Sequence, residues 1–159
     1  MPQENVEIIR RAYEAANRDD VDSAVADFAP DCEYVPSGKF PTDEVYRGPQ
    51  GFKRFIAWLT DAFDEVRLDT HELVASDDKV FVHQTNSGRG KMSGAEASWE
   101  VWLVWTLKEG KIVRGQAFTT RDLRRTLSLR ALHRLDVLWP AVSDDPARAP
   151  LQSSVSQSN

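Results

Sequence analysis

Two side chains in this sequence have the type and setting for acid/base chemistry. His83 sits in Val80-Phe-Val-His-Gln-Thr85, directly after an apolar run. An imidazole in a dry pocket acts as a general base near neutral pH, above all when a carboxylate orients its ring. Glu33, in Cys32-Glu-Tyr-Val35, is the carboxylate that fits this role. Together they would move protons without a cofactor, the chemistry of a lyase, an isomerase or a cyclase. Each also fits a plainer role. His83 can hydrogen-bond within a sheet or face outward, and Glu33 can pair with Arg47 or another arginine.

The other reactive residue types read as structure. His71 lies where its strand pattern shifts phase and is expected at the surface, and His133 is expected to be solvated in a terminal helix. Asp19, Asp20 and Asp22 read as helix ends and caps. Cys32 is the single cysteine, which excludes an internal disulfide, and it reads as a small buried thiol. There is no Cys/His cluster at metal spacing, no glycine-rich phosphate loop and no G-x-S-x-G turn. Neither a metal nor a cofactor is therefore expected.

These candidates need elements to position them. The chain has 159 residues, enough for one domain with its own core. Val6, Ile9, Tyr13 and Ala16, with Ile8, Ala12 and Ala15 beside them, predict an amphipathic helix over 4–18. Asp20 caps a short second helix that Pro30 ends. Cys32–Val35 reads as a short strand. Lys39–Tyr46 reads as a loop, and Gly48-Pro49 opens a third helix with Phe52, Phe55, Ile56, Leu59 and Phe63 on its buried stripe. Strands follow near 66–75 and 79–87. Trp99–Leu107 and Ile112–Phe118 flank a Gly-containing turn and form a hairpin. Helices first and strands after predict an α+β fold, with helices on one face of a curved sheet. Asp122–Leu138 is rich in Arg and Leu, so a basic helix is expected over 123–139, and a disordered tail over 140–159.

The net charge of −5, with no basic stripe before Arg121, excludes a nucleic-acid partner. No apolar run reaches membrane-span length, and the opening Met-Pro-Gln-Glu-Asn-Val-Glu lacks a signal pattern. A soluble, cytoplasmic protein is the expectation.

Several strings, in this order, carry a resemblance. They are Glu4-Asn-Val-Glu-Ile-Ile-Arg-Arg-Ala-Tyr-Glu-Ala-Ala-Asn17, Phe28-Ala-Pro-Asp-Cys-Glu-Tyr34, Tyr46-Arg-Gly-Pro-Gln-Gly-Phe52 and Trp105-Thr-Leu-Lys-Glu-Gly-Lys-Ile-Val-Arg114. Over roughly 3–122 the chain resembles the SnoaL-like group of the nuclear-transport-factor-2-like superfamily. The resemblance implies an NTF2-like cone over 1–122: a bent sheet wrapped round a long helix, open at one end. The interior would be a small-molecule pocket and the outer sheet face a dimer surface. Activity does not follow, because one fold hosts many chemistries.

Comparison with the ketosteroid-isomerase branch implies a facing for each strand. Glu33 and Val35, then Phe81, His83 and Thr85, then Trp99, Val101, Leu103 and Trp105, then Val113, Gly115, Ala117 and Thr119 would face the interior. Trp58 would close the wall, and small Gly115 and Ala117 would leave room. Trp58, Phe81, Trp99, Val101, Leu103, Trp105, Gly115 and Ala117 are thus the expected ligand contacts, though Trp99 and Trp105 equally fit core packing. Outward Trp102 would lie at a homodimer interface. The isomerase's base, tyrosine and aspartic acid fall on Val35, Ala12 and Leu103, so steroid isomerisation is not expected. Tyr13 lies one residue away, about 100° round the helix. Three readings stay open: an enzyme using His83 and Glu33, a non-catalytic binder of an apolar molecule, or an interaction module using the outer sheet face.

Overall fold

The computed structural model describes residues 2–36 and 44–118. The helical spacing from Val6 to Ala16 gives helix α1 (Pro2–Asn17), with Val6, Ile8, Ile9 and Ala15 buried. Its end is a Schellman motif. The Asp20 N–H donates to the Ala15 carbonyl at 2.9 Å, and the Asp19 N–H to the Ala16 carbonyl at 3.1 Å. Asp19 takes the left-handed conformation there, with φ 62°. Asp20 then caps α2 (Val21–Ala24), its carboxylate accepting from the Ser23 N–H at 3.2 Å.

Strand β1 (Phe28–Val35) starts four residues earlier than the sequence suggests and runs through Pro30. Proline is tolerated because the β1 pairing shifts register between Phe28 and Glu33, so no ladder donor is needed at that point. A two-residue strand β2 (Tyr46–Arg47) leads into α3 (Gly48–Ala62), which carries Pro49 in its first turn. The long strands are β3 (Phe63–Ser76), β4 (Lys79–Gly90), β5 (Glu96–Lys108) and β6 (Lys111–Phe118). Glu109 and Gly110, at φ 52° and 78°, make the two-residue turn between β5 and β6. Two positive φ angles match the twist of a hairpin.

The six strands lie in the order β2-β1-β6-β5-β4-β3, antiparallel except for the parallel pair β1–β6. The result is the expected α+β cone, a curved mixed sheet with α1 and α3 against its inner face. Inward residues of β5 (Trp99, Val101, Leu103, Trp105) join Ile9, Phe55 and Leu59 in one core. Among the described residues, no helix is long and apolar enough to cross a membrane. The expected basic helix at 123–139, the tail at 140–159, Thr119, His133 and most of the Lys39–Tyr46 loop lie outside the described residues.

One side chain pins α1 to the sheet. The Asn17 amide donates to the Leu68 carbonyl and accepts from the Leu68 N–H, both at 2.9 Å. It thereby stands in for a neighbouring strand on β3. Asn17→Ala is expected to lower unfolding stability by about 1–3 kcal/mol through the lost backbone partners. Chemical denaturation measures it, and a change under about 0.5 kcal/mol would show that the clamp is dispensable.

Candidate functional site

The centre of the cone is built around the Trp105 indole. Trp105 and Gly115 are opposite each other on β5 and β6. The missing side chain of Gly115 makes the indole's seat, since a Cβ there would lie 2.3 Å from a ring carbon of Trp105. From this seat the indole N–H donates to the Tyr13 hydroxyl oxygen at 3.1 Å. The Tyr34 ring stacks on it at 5.8 Å, and Phe28 meets it edge-on at 6.0 Å. Phe52 stacks on Phe28 at 4.8 Å and closes the cluster from α3. Such ring pairs contribute about 0.5–1.5 kcal/mol each beyond the area they bury.

A cavity of about 100 Å³ lies against this cluster. Ile9, Ala12, Tyr13 and Ala16 of α1 line one wall, and Phe52, Phe55, Ile56 and Leu59 of α3 another. The sheet contributes Tyr34, Leu68, Gln84, Asn86, Leu103, Trp105 and Ile112. Asp19, Thr60 and Val66 line both this cavity and a wider charged groove, which also includes Asp64, Glu65, Arg67, Arg89 and Lys91. The apolar interior therefore adjoins a polar mouth. Burial pushes the Tyr13 and Tyr34 hydroxyls well above the ordinary tyrosine range, so both are neutral inside the cone. With its oxygen accepting from Trp105, the Tyr13 hydroxyl keeps its own proton to donate. Burial also raises the Cys32 thiol, which is consistent with a structural cysteine.

The expected acid/base pair is not assembled. His83 pairs across the sheet with Trp102, on the outer face, and its ring stacks on that indole at 4.7 Å and 4°. Its Nε2 meets Glu100 at 3.1 Å. His71 lies alongside, its ring 5.0 Å from that of His83 and its Nε2 2.6 Å from the Thr85 hydroxyl. Glu33 is also on the outer face, bonded to Arg47 at 2.8 Å and Arg114 at 3.4 Å. Three strand spacings separate β1 from β4 in the sheet order, roughly 14 Å at the usual strand separation. The plainer roles hold for both residues.

The physical reason is register. β4 pairs with β5 so that Val80, Val82, Gln84 and Asn86 sit opposite Trp105, Leu103, Val101 and Trp99. Opposed residues share a face, so the even-numbered residues of β4 turn inward and Phe81, His83 and Thr85 turn out. On β1, Tyr34 rather than Glu33 faces inward, opposite Gly115.

Of the expected ligand contacts, Leu103 and Trp105 line the cavity. Trp99, Val101 and Ala117 face inward but serve the core, and Trp58 packs against its margin. Phe81 is buried on the opposite face, beside Val104. Gly115 faces inward as expected, but Trp105 fills the room it leaves. Trp102 is only 2% exposed within the single chain, so it cannot be the dimer contact expected of it. Tyr13, Tyr34, Thr60, Gln84 and Asn86 are polar lining residues that the sequence reading did not place there, nor did it place Asp19, read as a helix end. The alternation that puts Gln84 and Asn86 on the same face of β4 as Val80 and Val82 was the available signal. Among the described residues, no group of three His, Cys, Asp or Glu side chains could hold a metal ion.

This architecture is a cone of the NTF2-like type. The sequence profile of the SnoaL-like domain matches residues 9–115, more than half of the chain, and the protein belongs to that family. An NTF2-like protein from Burkholderia thailandensis E264 is similar at 27% identity and TM-score 0.68, over 72% of this chain and 88% of that one. TerC, co-crystallised with polyporic acid, is similar at 24% identity and TM-score 0.65, over 83% and 97%. A proposed polyketide cyclase from Xanthomonas campestris pv. campestris is similar at 20% identity and TM-score 0.65, over 74% and 90%. No curated protein matches the chain.

Two outcomes test this construction. Gly115→Ala forces the indole off its seat and is expected to cost about 1–3 kcal/mol of stability, with a shift in tryptophan emission. An unchanged denaturation midpoint would contradict the packing. The second concerns pH. Below about pH 10 both the folded and the unfolded chain hold the Tyr13 and Tyr34 protons. Above it the unfolded chain releases protons that the folded chain keeps, so stability falls as pH rises. Absorbance at 295 nm should show these two tyrosines ionising only as the protein unfolds in base. Reversible ionisation near pH 10 in the folded protein would contradict their burial.

Proposed function

We propose that the cone interior binds a small, mostly apolar organic molecule of about one-ring size. The family supports a small-molecule binding or cyclase-type function. The observation that carries the finer reading is the cavity itself: aromatic and aliphatic walls, few polar groups, and a polar mouth. This is the composition of a small-molecule site. Its volume of about 100 Å³ limits the ligand. An apolar cavity of roughly 150 Å³ takes up benzene, so a single ring needs only small movements of this wall. TerC, whose fold is similar, was co-crystallised with polyporic acid, which supports small-molecule binding as the general reading.

Binding, rather than turnover by His83 and Glu33, is the reading proposed here, because those two side chains lie on the outer face and on separate strands. An open interior also weighs against the interaction-module reading, which requires a filled cone. A homodimer through the outer sheet face remains part of the proposal. Its contacts would run over exposed Arg47 and Arg114 rather than buried Trp102.

Toluene is a suitable first probe. At ten times its dissociation constant it should stabilise the protein by about 1.4 kcal/mol, a rise of several degrees in Tm. Ala12→Phe, which fills the cavity from α1, should abolish the rise. A wild-type Tm indifferent to toluene, or the same rise in the filled variant, would overturn the reading.

A further inference from the structure

Resting on that reading of the cone as a binding site, we propose that Gln84, held by Asn86, selects ligands that carry a neutral hydroxyl or N–H donor. Both amides lie on the inner side of β4, in the cavity wall, and they are only 3% and 7% exposed. The Gln84 Nε2 donates to the Asn86 Oδ1 at 2.5 Å. This bond uses the donor end of Gln84 and fixes its side chain. The other end, Oε1, is buried with no hydrogen-bond partner. A buried acceptor left unpaired costs free energy, and such groups are uncommon in folded proteins.

The surroundings limit what can supply the missing donor. The strand neighbours are Val101 opposite Gln84 and Trp99 opposite Asn86, with Thr70 and Leu68 on the other side. The rest of the wall is largely apolar. A neutral donor on an otherwise apolar ligand satisfies Oε1 without bringing a charge into the interior. The ligand class is therefore a small ring compound bearing a hydroxyl or amino group, not a plain hydrocarbon.

The test compares phenol with toluene, which match in shape and differ in one donor group. An apolar wall prefers toluene, the more hydrophobic of the two. The Gln84 acceptor should reverse this, with phenol bound about tenfold more tightly by titration calorimetry. Gln84→Met keeps side-chain length and removes the acceptor, and it should return the preference to toluene. The wild-type comparison stands even if that variant fails to fold. Toluene bound as well as or better than phenol would overturn the donor selection while leaving the binding cone intact. A phenol preference unchanged in Gln84→Met would assign the selection to the Tyr13 hydroxyl and overturn the role of Gln84. Binding of neither compound would remove the cone reading and this inference with it.

Discussion

The seating of Trp105 over Gly115 is the constraint on which the rest of the interior depends. The indole cannot occupy that position if β6 carries any side chain there. Once seated, it fixes Tyr13 by a hydrogen bond and offers faces to Tyr34, Phe28 and Phe52. These rings come from α1, β1 and α3, so one contact ties both helices to the sheet. Asn17 supplies the second tie, about one turn further along α1. The helix is thus held at two points, with the cavity-lining residues Ala12 and Ala16 between or beside them. Small side chains on that stretch of α1 leave space that larger ones would fill.

That space has an energetic cost. At about 24 cal/mol per Å³, an empty cavity of about 100 Å³ forgoes on the order of 2 kcal/mol of packing. The neighbouring amide pair adds the cost of a buried, unpaired oxygen. Left-handed Asp19 at the mouth adds backbone strain where glycine would be relaxed. These three features meet at the cavity, while on the outer face Trp102 stacks on His83 and Glu100 holds the His83 Nε2, with His83 Nδ1 and Trp102 Nε1 buried without a hydrogen-bond partner. Sites that bind or react are where folded proteins depart from local optima.

The sequence made the fold legible because its punctuation is strong. Asp20 caps, Gly48-Pro49 opens a helix, and Glu109-Gly110 turns a hairpin. The facing of β5 was also recoverable through the resemblance, and Leu103 and Trp105 followed from it. The facing of β4 was not, because Val80, Phe81 and Val82 are apolar on both faces and alternation gives no phase. Only the pairing of β4 with β5 across residues 91–95 decides it, and with it the fate of His83. Glu33 was misplaced for a related reason. The bulge near Pro30 resets the register of β1, so Tyr34 turns inward. The imidazole–carboxylate pair sought in the sequence does exist, as His83 with Glu100, but it braces the outer face.

The most direct test of a ligand-ready apolar interior is a crystal of the protein pressurised with xenon, which enters apolar cavities and ignores filled ones. A xenon atom is expected among Ile9, Leu59, Leu103 and the Trp105 indole, with Trp105 unmoved over Gly115. Xenon absent from that position, with side chains closed across it, would show that the interior is filled and not ready for a ligand.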